Sequence, residues 1–99
     1  MKSLNLPISE ERLSSLLREH GVAEASVFGS FSRGENAQSS DLDLLVTYKA
    51  GTSLLDALTL QDLLEQQIGG KVDLVSTKSL RPRLKKRIEK DLRPLAGLS

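Results

Sequence analysis

Cysteine is absent from the 99 residues, and His20 is the only histidine. These shortages exclude disulfide bonds, thiolate metal sites, a cysteine nucleophile and any metal site built from several histidines. A metal bound to this chain would therefore need oxygen ligands, which favours magnesium, manganese or calcium. His20 lies at the end of a predicted helix, where an imidazole interacts favourably with the helix dipole, and we do not expect it to be catalytic.

Aromatic residues are also scarce, at 3% of the chain, with one Tyr, two Phe and no Trp. A stacking surface for single-stranded nucleic acid uses several aromatic side chains, so this composition argues against one. Charge is distributed unevenly: residues 1–77 contain 6 basic and 11 acidic side chains, whereas residues 78–99 contain 8 basic and 2 acidic. The basic C-terminal segment is consistent with a solvated face or with a surface for a protein partner, and direct nucleic-acid binding is the weakest of these options.

The sequence has no long hydrophobic run and no signal-like apolar N-terminus. We therefore expect a cytoplasmic protein that does not enter a membrane. The length suits one domain, which we expect to span residues 1–99. Hydrophobic residues make up 38% of the chain and charged residues 27%, a composition typical of folded globular proteins.

Hydrophobic periodicity and turn residues predict helices that alternate with strands. Helices are predicted at Ser9–His20, from Ser30 to near Gly34, at about Ser53–Ile68 and from near Ser79 onward, and strands at Val22–Phe28, Asp41–Tyr48 and 71–76. This order predicts an α/β (α+β) fold in which a small mixed three-stranded sheet packs against about four helices. The residues expected to face the core are Leu54, Leu55, Leu58, Leu63 and Leu64 in the third helix, and Leu80, Leu84, Ile88 and Leu92 in the fourth.

Three aspartates stand out because aspartate is a poor strand former. Alternate residues of a strand share a face, so Asp41 and Asp43 should point the same way. Asp73 occupies a similar position in "KVDLVS", residues 71–76. If the two strands are neighbours, three carboxylates meet, and a cation is the usual compensation for their repulsion. The alternative is a solvated strand face, most readily for Asp73. The residues expected to point into the core instead are Leu42, Leu44 and Val46.

Gly29 and Ser30 follow the first predicted strand and precede a predicted helix start. Free backbone N–H groups and the helix dipole favour an anion there, glycine allows a phosphate to approach the backbone, and Ser30 adds a hydroxyl donor. Arg33, one turn later, can reach a second phosphate oxygen. A simpler interpretation is a strand-to-helix turn capped by Ser30 and a surface charge at Arg33. Combined with the aspartates, the phosphate interpretation predicts a nucleoside triphosphate held for nucleotidyl transfer.

The segment "GSFSRGENAQSSDLDLLV" contains Gly-Ser, ten further residues and then Asp-x-Asp. It resembles the minimal nucleotidyltransferases of the DNA polymerase β superfamily, and most of all the MntA-type antitoxins that are encoded beside HEPN-domain toxins of the HepT type. The resemblance extends over essentially the whole chain, including the third carboxylate and the order of the helices. It implies phosphate binding by Gly29 and Ser30, two magnesium ions on Asp41 and Asp43, and, for Asp73, binding of the catalytic metal and help in deprotonating the acceptor hydroxyl.

The resemblance implies an enzyme that transfers AMP from ATP to a tyrosine of a HepT-like toxin and thereby silences it. A 99-residue chain has little surface to enclose a small acceptor, so we expect a second chain to present the hydroxyl in a hetero-oligomer. A homodimer that builds a pocket for a small-molecule hydroxyl is the alternative enzyme. A non-catalytic antitoxin that covers the toxin is the alternative outside catalysis. Tyr48 is expected to pack against the core, with self-modification as its alternative.

Overall fold

The structure, a computed structural model, describes residues 8–29 and 42–95. It contains, in chain order, α1 (Glu10–Glu19), β1 (Val22–Phe28), β2 (Leu42–Tyr48), α2 (Leu54–Ile68), β3 (Val72–Ser76), α3 (Pro82–Ile88) and β4 (Arg93–Pro94). Two 3-10 turns, Thr77–Ser79 and Glu89–Asp91, flank α3. The short helix predicted from Ser30 to near Gly34 lies outside the described residues.

The first helix begins and ends where its sequence predicts. The Ser9 hydroxyl accepts a hydrogen bond from the Arg12 N–H at 3.2 Å, which satisfies one of the donors that a helix start leaves unpaired. At the other end, His20 Nδ1 lies 2.8 Å from the Leu16 carbonyl oxygen, to which it donates. Gly21 follows with φ +86°, a left-handed conformation that ends the helix.

The sheet is mixed, with the strand order β3-β2-β1-β4. β1 pairs antiparallel with both β2 and β4, whereas β2 and β3 are parallel. Parallel neighbours need a crossover connection, and α2 provides it. The predicted mixed α/β architecture is therefore confirmed, with one addition. The fourth strand, Arg93–Pro94, was not predicted, because two residues that include a proline carry no strand pattern.

Both faces of the sheet are covered in its central part. On one face, α1 and α2 enclose the main core, whose fully buried members are Leu13, Leu17, Val22, Val27, Leu42, Leu44, Val46, Leu60, Leu64 and Leu95. The prediction that alternate residues of β2 point into the core is thus confirmed. On the other face, Phe28 and Leu45 form a smaller cluster with Ile88 of α3.

The prediction for the inward face of α2 is wrong for three of its five leucines. Leu54, Leu55 and Leu58 are 77%, 72% and 54% exposed. Leu64 is buried as predicted, and Leu60, which was not predicted, is buried one turn before it on the side that meets the sheet. A helix advances by about 100° per residue, so a stripe centred on Leu60 and Leu64 turns Leu55 and Leu58 toward solvent.

The C-terminal segment also departs from its predicted pattern. A single helix from near Ser79 is replaced by a 3-10 turn and a shorter helix that starts at Pro82, where the missing N–H costs nothing. Of the expected stripe only Ile88 is buried, and Leu84 is 38% exposed. Leu80 and Leu92 are half-buried and pack against the cluster of Phe28, Leu45 and Ile88, so three of the four predicted residues face inward although the chain leaves the α-helix at Glu89. Among the helices of the described residues, none combines the length and apolarity needed to cross a bilayer.

Candidate active site

Asp43 and Asp73 lie side by side on adjacent parallel strands. The register of β2 and β3 pairs Asp43 with Asp73, flanked by the pairs Leu42–Val72 and Leu44–Leu74. Partners in register share a face of the sheet, and neighbouring strands are about 4.8 Å apart. The two carboxylates therefore project on the face opposite the main core, Asp43 half-buried and Asp73 exposed. The assumption that the two strands are neighbours is confirmed.

Gly29 lies against the Asp43 carboxylate, on the side of β2 opposite to Asp73. The residue before it, Phe28, pairs with Asp43 across β1 and β2. Gly29 has φ +77°, and a Cβ atom built on it would collide with the Asp43 carboxylate oxygen Oδ2. Glycine is thus favoured here for two separate reasons, its left-handed backbone and the absence of a Cβ atom, which the Asp43 carboxylate would have to move to accommodate.

Three of the predicted site residues, Ser30, Arg33 and Asp41, lie outside the described residues. Asp41 is the residue directly before β2, and the Gly-Ser turn begins at Gly29, the residue directly after β1. The structure thus brings together Gly29, Asp43 and Asp73, and the positions of the other three stay predictions.

The chemistry of the donors suits a hard divalent cation. Carboxylate oxygens are the ligands that magnesium takes up in proteins, and two in register on one sheet face supply oxygen from two directions. Within residues 8–29 and 42–95, no group of three His, Cys, Asp or Glu side chains is placed to hold a metal ion. The predicted metal ligands are Asp41, Asp43 and Asp73. Asp41 lies outside the described residues, so the structure describes only the Asp43–Asp73 pair.

A cavity of about 250 Å³ opens beside Asp73. Its lining includes Gln61 and Glu65 of α2 together with Lys71 and Val72. Sequence reasoning missed the two α2 residues, since a glutamine and a glutamate four positions apart on a helix resemble any solvated helix face. Only the packing of α2 against the edge of β3 brings them to the site.

A second cavity, of about 420 Å³, lies under α3. It is lined by Leu45, Thr77, Leu80, Pro82, Lys85 and Leu92. Leu45 is two residues beyond Asp43 on the same strand, so this cavity belongs to the sheet face that carries the two aspartates. The lining is largely apolar and includes one cation, Lys85.

Tyr48 is far from the aspartates and on the other face. It ends β2, five residues after Asp43, and packs against the main core. Burial raises the pKa of the Tyr48 hydroxyl above its ordinary value of 10.0. The prediction that Tyr48 packs against the core is confirmed. Its position gives no support to the alternative, in which the Tyr48 hydroxyl is the acceptor within its own chain.

Comparison with known sequences shows that this chain is similar to nucleotidyltransferases. The model of a family described as a nucleotidyltransferase domain matches residues 9–95. The protein adenylyltransferase MntA of Thermococcus cleftensis is 37% identical over 90 residues, which cover 83% of this chain and 91% of that protein. A protein of Methanocaldococcus jannaschii with the provisional name of a protein adenylyltransferase is 40% identical over 85 residues, which cover 86% of this chain and 91% of that protein.

Solved structures agree with the sequence comparison. A provisionally named minimal nucleotidyltransferase superposes with a TM-score of 0.78 at 43% identity, and the match covers 87% of this chain and 88% of that one. A toxin–antitoxin crystal structure with AMP-PNP includes a chain that superposes with a TM-score of 0.77 at 25% identity, covering 91% of this chain and 74% of that one.

Proposed function

The chain belongs to the nucleotidyltransferase domain family, as one of its minimal nucleotidyltransferases, and on that premise we propose that it transfers AMP from ATP to a hydroxyl group of a partner protein in a magnesium-dependent reaction. The observation that carries the proposal is the register of Asp43 and Asp73 beside Gly29. A pair of carboxylates next to a glycine turn after a strand is the arrangement that this chemistry needs, because metal ligands and a phosphate site must be adjacent.

The glycine turn has the role of holding the triphosphate. Gly29 directly follows β1 with a left-handed backbone at φ +77°, a conformation that lets the chain turn sharply there, and the Gly-Ser turn is the segment proposed to bind the phosphates. Ser30 then adds a hydroxyl donor and Arg33 a guanidinium, which suits two phosphate oxygens. The roles of Ser30 and Arg33 rest on the sequence, and that of Gly29 is supported by its backbone angle.

The aspartates Asp41, Asp43 and Asp73 would hold the magnesium ions, two of which are expected. Magnesium bound there would neutralise charge on the phosphates and favour ionisation of the acceptor hydroxyl. The exposed carboxylate of Asp73 accepts the proton of the acceptor. The acceptor oxygen bonds to the α-phosphorus, the bond from this phosphorus to the bridging oxygen breaks, and pyrophosphate leaves with that electron pair.

The acceptor proposed for this chain is a tyrosine of a HEPN toxin of the HepT type, and the consequence is neutralisation of that toxin in the cytoplasm. Support comes from the MntA relative, which is named a protein adenylyltransferase, and from the similar chain in a toxin–antitoxin structure with an ATP analogue. A protein acceptor is also consistent with the exposed position of Asp73, which an incoming chain can reach.

Neutralisation by binding alone is the second candidate. It is favoured by one observation, namely that the similar chain with AMP-PNP belongs to a toxin–antitoxin assembly. In that case the aspartates would be dispensable for silencing the toxin. The two candidates therefore differ in whether AMP-modified toxin is formed.

The experiment is the intact mass of the HEPN protein encoded beside this chain, after incubation with the chain, Mg²⁺ and ATP. The expected result is a gain of one or more AMP units, lost in the double variant Asp41→Asn, Asp43→Asn. Asp62→Asn is the matched control, since its carboxylate is exposed on α2 and, among residues 8–29 and 42–95, accepts a side-chain hydrogen bond only from Gln66. A stable complex without any mass gain would replace catalysis by neutralisation through binding.

A further inference from the structure

Strand β3 lies at the edge of the sheet, and one of its residues has an unusual pair of partners. Hydrogen bonds in a parallel ladder involve every second residue of a strand. The Leu42 N–H donates to the Lys71 carbonyl oxygen at 3.1 Å, so the backbone groups of Val72 point away from β2. At a sheet edge such groups usually bond water. Val72, however, is only 2% exposed.

Two side chains of α2 bind both backbone groups of Val72. Gln61 Nε2 donates to the Val72 carbonyl oxygen at 3.0 Å, and the Val72 N–H donates to Glu65 Oε2 at 3.0 Å. Gln61 and Glu65 are four residues apart and therefore share a helix face. They are adjacent to Leu60 and Leu64, whose complete burial fixes the rotation of α2 against the sheet.

The position of this bond pair in the chain connects it to the site. Val72 is the first residue of β3 and directly precedes Asp73. The segment before it contains Gly69 and Gly70, which leave the backbone with wide conformational freedom. The start of β3 is therefore the point at which the strand would fray, and Asp73 would lose its register with Asp43 there first.

We propose that Gln61 and Glu65 are positioning residues, which hold Val72 from the helix side so that Asp73 stays in register with Asp43. This inference rests on the proposed function. It adds two residues that touch neither nucleotide nor acceptor in the proposed reaction. Catalytic groups must be held within about 0.5 Å of their productive positions, and one hydrogen bond on each side of the Val72 peptide supplies that restraint.

The directions of the two hydrogen bonds allow a matched set of variants. Glu65→Gln keeps an oxygen that can accept from the Val72 N–H, whereas Glu65→Ala removes it. Gln61→Glu has nearly the same shape but replaces the donor by an acceptor that faces the Val72 carbonyl. Gln66→Ala is the control, because Gln66 lies on the same helix and, in the part of the chain that the structure describes, its side chain bonds only Asp62.

In the AMP-transfer assay, run well below the unfolding temperature of every variant, we expect kcat to fall by about 10–100-fold in Glu65→Ala and in Gln61→Glu. The KM for ATP should stay within about twofold, because the glycine turn follows β1 and is separated from β3 by the intervening strand β2. Glu65→Gln should retain most of the wild-type kcat, and Gln66→Ala all of it. An unchanged kcat in Glu65→Ala, or a change in KM alone, would overturn the positioning role.

A second readout is independent of turnover. In Glu65→Ala the Val72 amide should exchange its hydrogen faster than in Gln66→Ala. Mn²⁺ titrated into the wild-type chain should broaden the backbone amide resonances of Asp43 and Asp73 together. In Glu65→Ala the broadening at Asp73 should weaken while that at Asp43 persists. Equal broadening of both amides in Glu65→Ala would overturn the proposal even where Val72 exchanges faster.

These measurements separate the two proposals. A wild-type chain that transfers no AMP but shows paired Mn²⁺ broadening, lost at Asp73 in Glu65→Ala, would contradict the proposed function and support the positioning role. A wild-type chain that transfers AMP with no dependence on Gln61 or Glu65 would do the reverse. Absence of broadening at both aspartates in the wild type would overturn the positioning role together with the metal site.

Discussion

Gly29 and the Asp43 carboxylate are in such close approach that no side chain fits between them. Gly29 directly follows β1, whose last residue, Phe28, pairs with Asp43 of β2. The turn proposed to bind phosphate and the aspartate proposed to bind metal are therefore one packed unit. Disturbing one of them must disturb the other.

Gly29→Ala should lose more stability than a left-handed backbone alone explains. An alanine at positive φ costs about 1–2 kcal/mol, and at Gly29 its methyl group must also displace Asp43. Gly69→Ala is the matched control, since Gly69 has the same φ of +77° and nothing within 4 Å of a built Cβ. The free energy of unfolding in urea, together with AMP transfer, compares them. Equal losses of unfolding free energy in the two variants would show that the methyl group introduced at position 29 does not collide with Asp43.

Magnesium with a non-hydrolysable ATP analogue should stabilise the wild-type chain against heat. Binding to the folded state alone contributes about 2.7 kcal/mol at a ligand concentration 100 times the Kd. Asp43→Asn and Asp73→Asn should lose most of this gain because each removes a charged oxygen ligand. Thermal unfolding with Mg²⁺ and with EDTA measures it. The same gain in Asp43→Asn as in the wild type would argue against a metal ligand at this position.

Tyr48 should make the fold sensitive to strong alkali. Burial raises its pKa above 10.0 in the folded chain, so the unfolded chain releases this proton first as the pH increases. The stability linked to the neutral hydroxyl is fully present below pH 10 and decreases as the pH rises through the folded-state pKa. Because Tyr48 is the single tyrosine, ultraviolet absorbance follows it alone. Tyr48→Phe should unfold less readily above pH 10, and a normal titration midpoint in the folded chain would refute the shift.

Leucines of α2 should divide into two groups by their effect on stability. Leu60→Ala removes a completely buried side chain, and such truncations cost about 2–5 kcal/mol. Leu55→Ala removes one that is 72% exposed, for which a change within about 0.5 kcal/mol is expected. Chemical denaturation of the two variants provides the comparison. A large loss in Leu55→Ala would show that this leucine is covered in solution.

Local sequence signals predicted much of the fold correctly, and the reason is that these elements are defined by nearest neighbours. Ser9 begins α1 by capping it. The alternation of β2 places Leu42 and Leu44 in the core. Three leucines of α2, Leu54, Leu55 and Leu58, were assigned to the wrong side because leucine recurs on several faces of that helix. A helical wheel can rank these faces only when one of them is clearly polar.

Motif spacing and hydrophobic alternation indicated the family, three of the four strands and the residue types of the site, because both are properties of the chain alone. Only the folded arrangement established that β2 and β3 are neighbours with Asp43 opposite Asp73. It also decided that Gln61 and Glu65 bind the backbone before Asp73. The physical reason is that strand order and helix rotation depend on contacts between residues distant in the chain. No local pattern encodes which of them will pair.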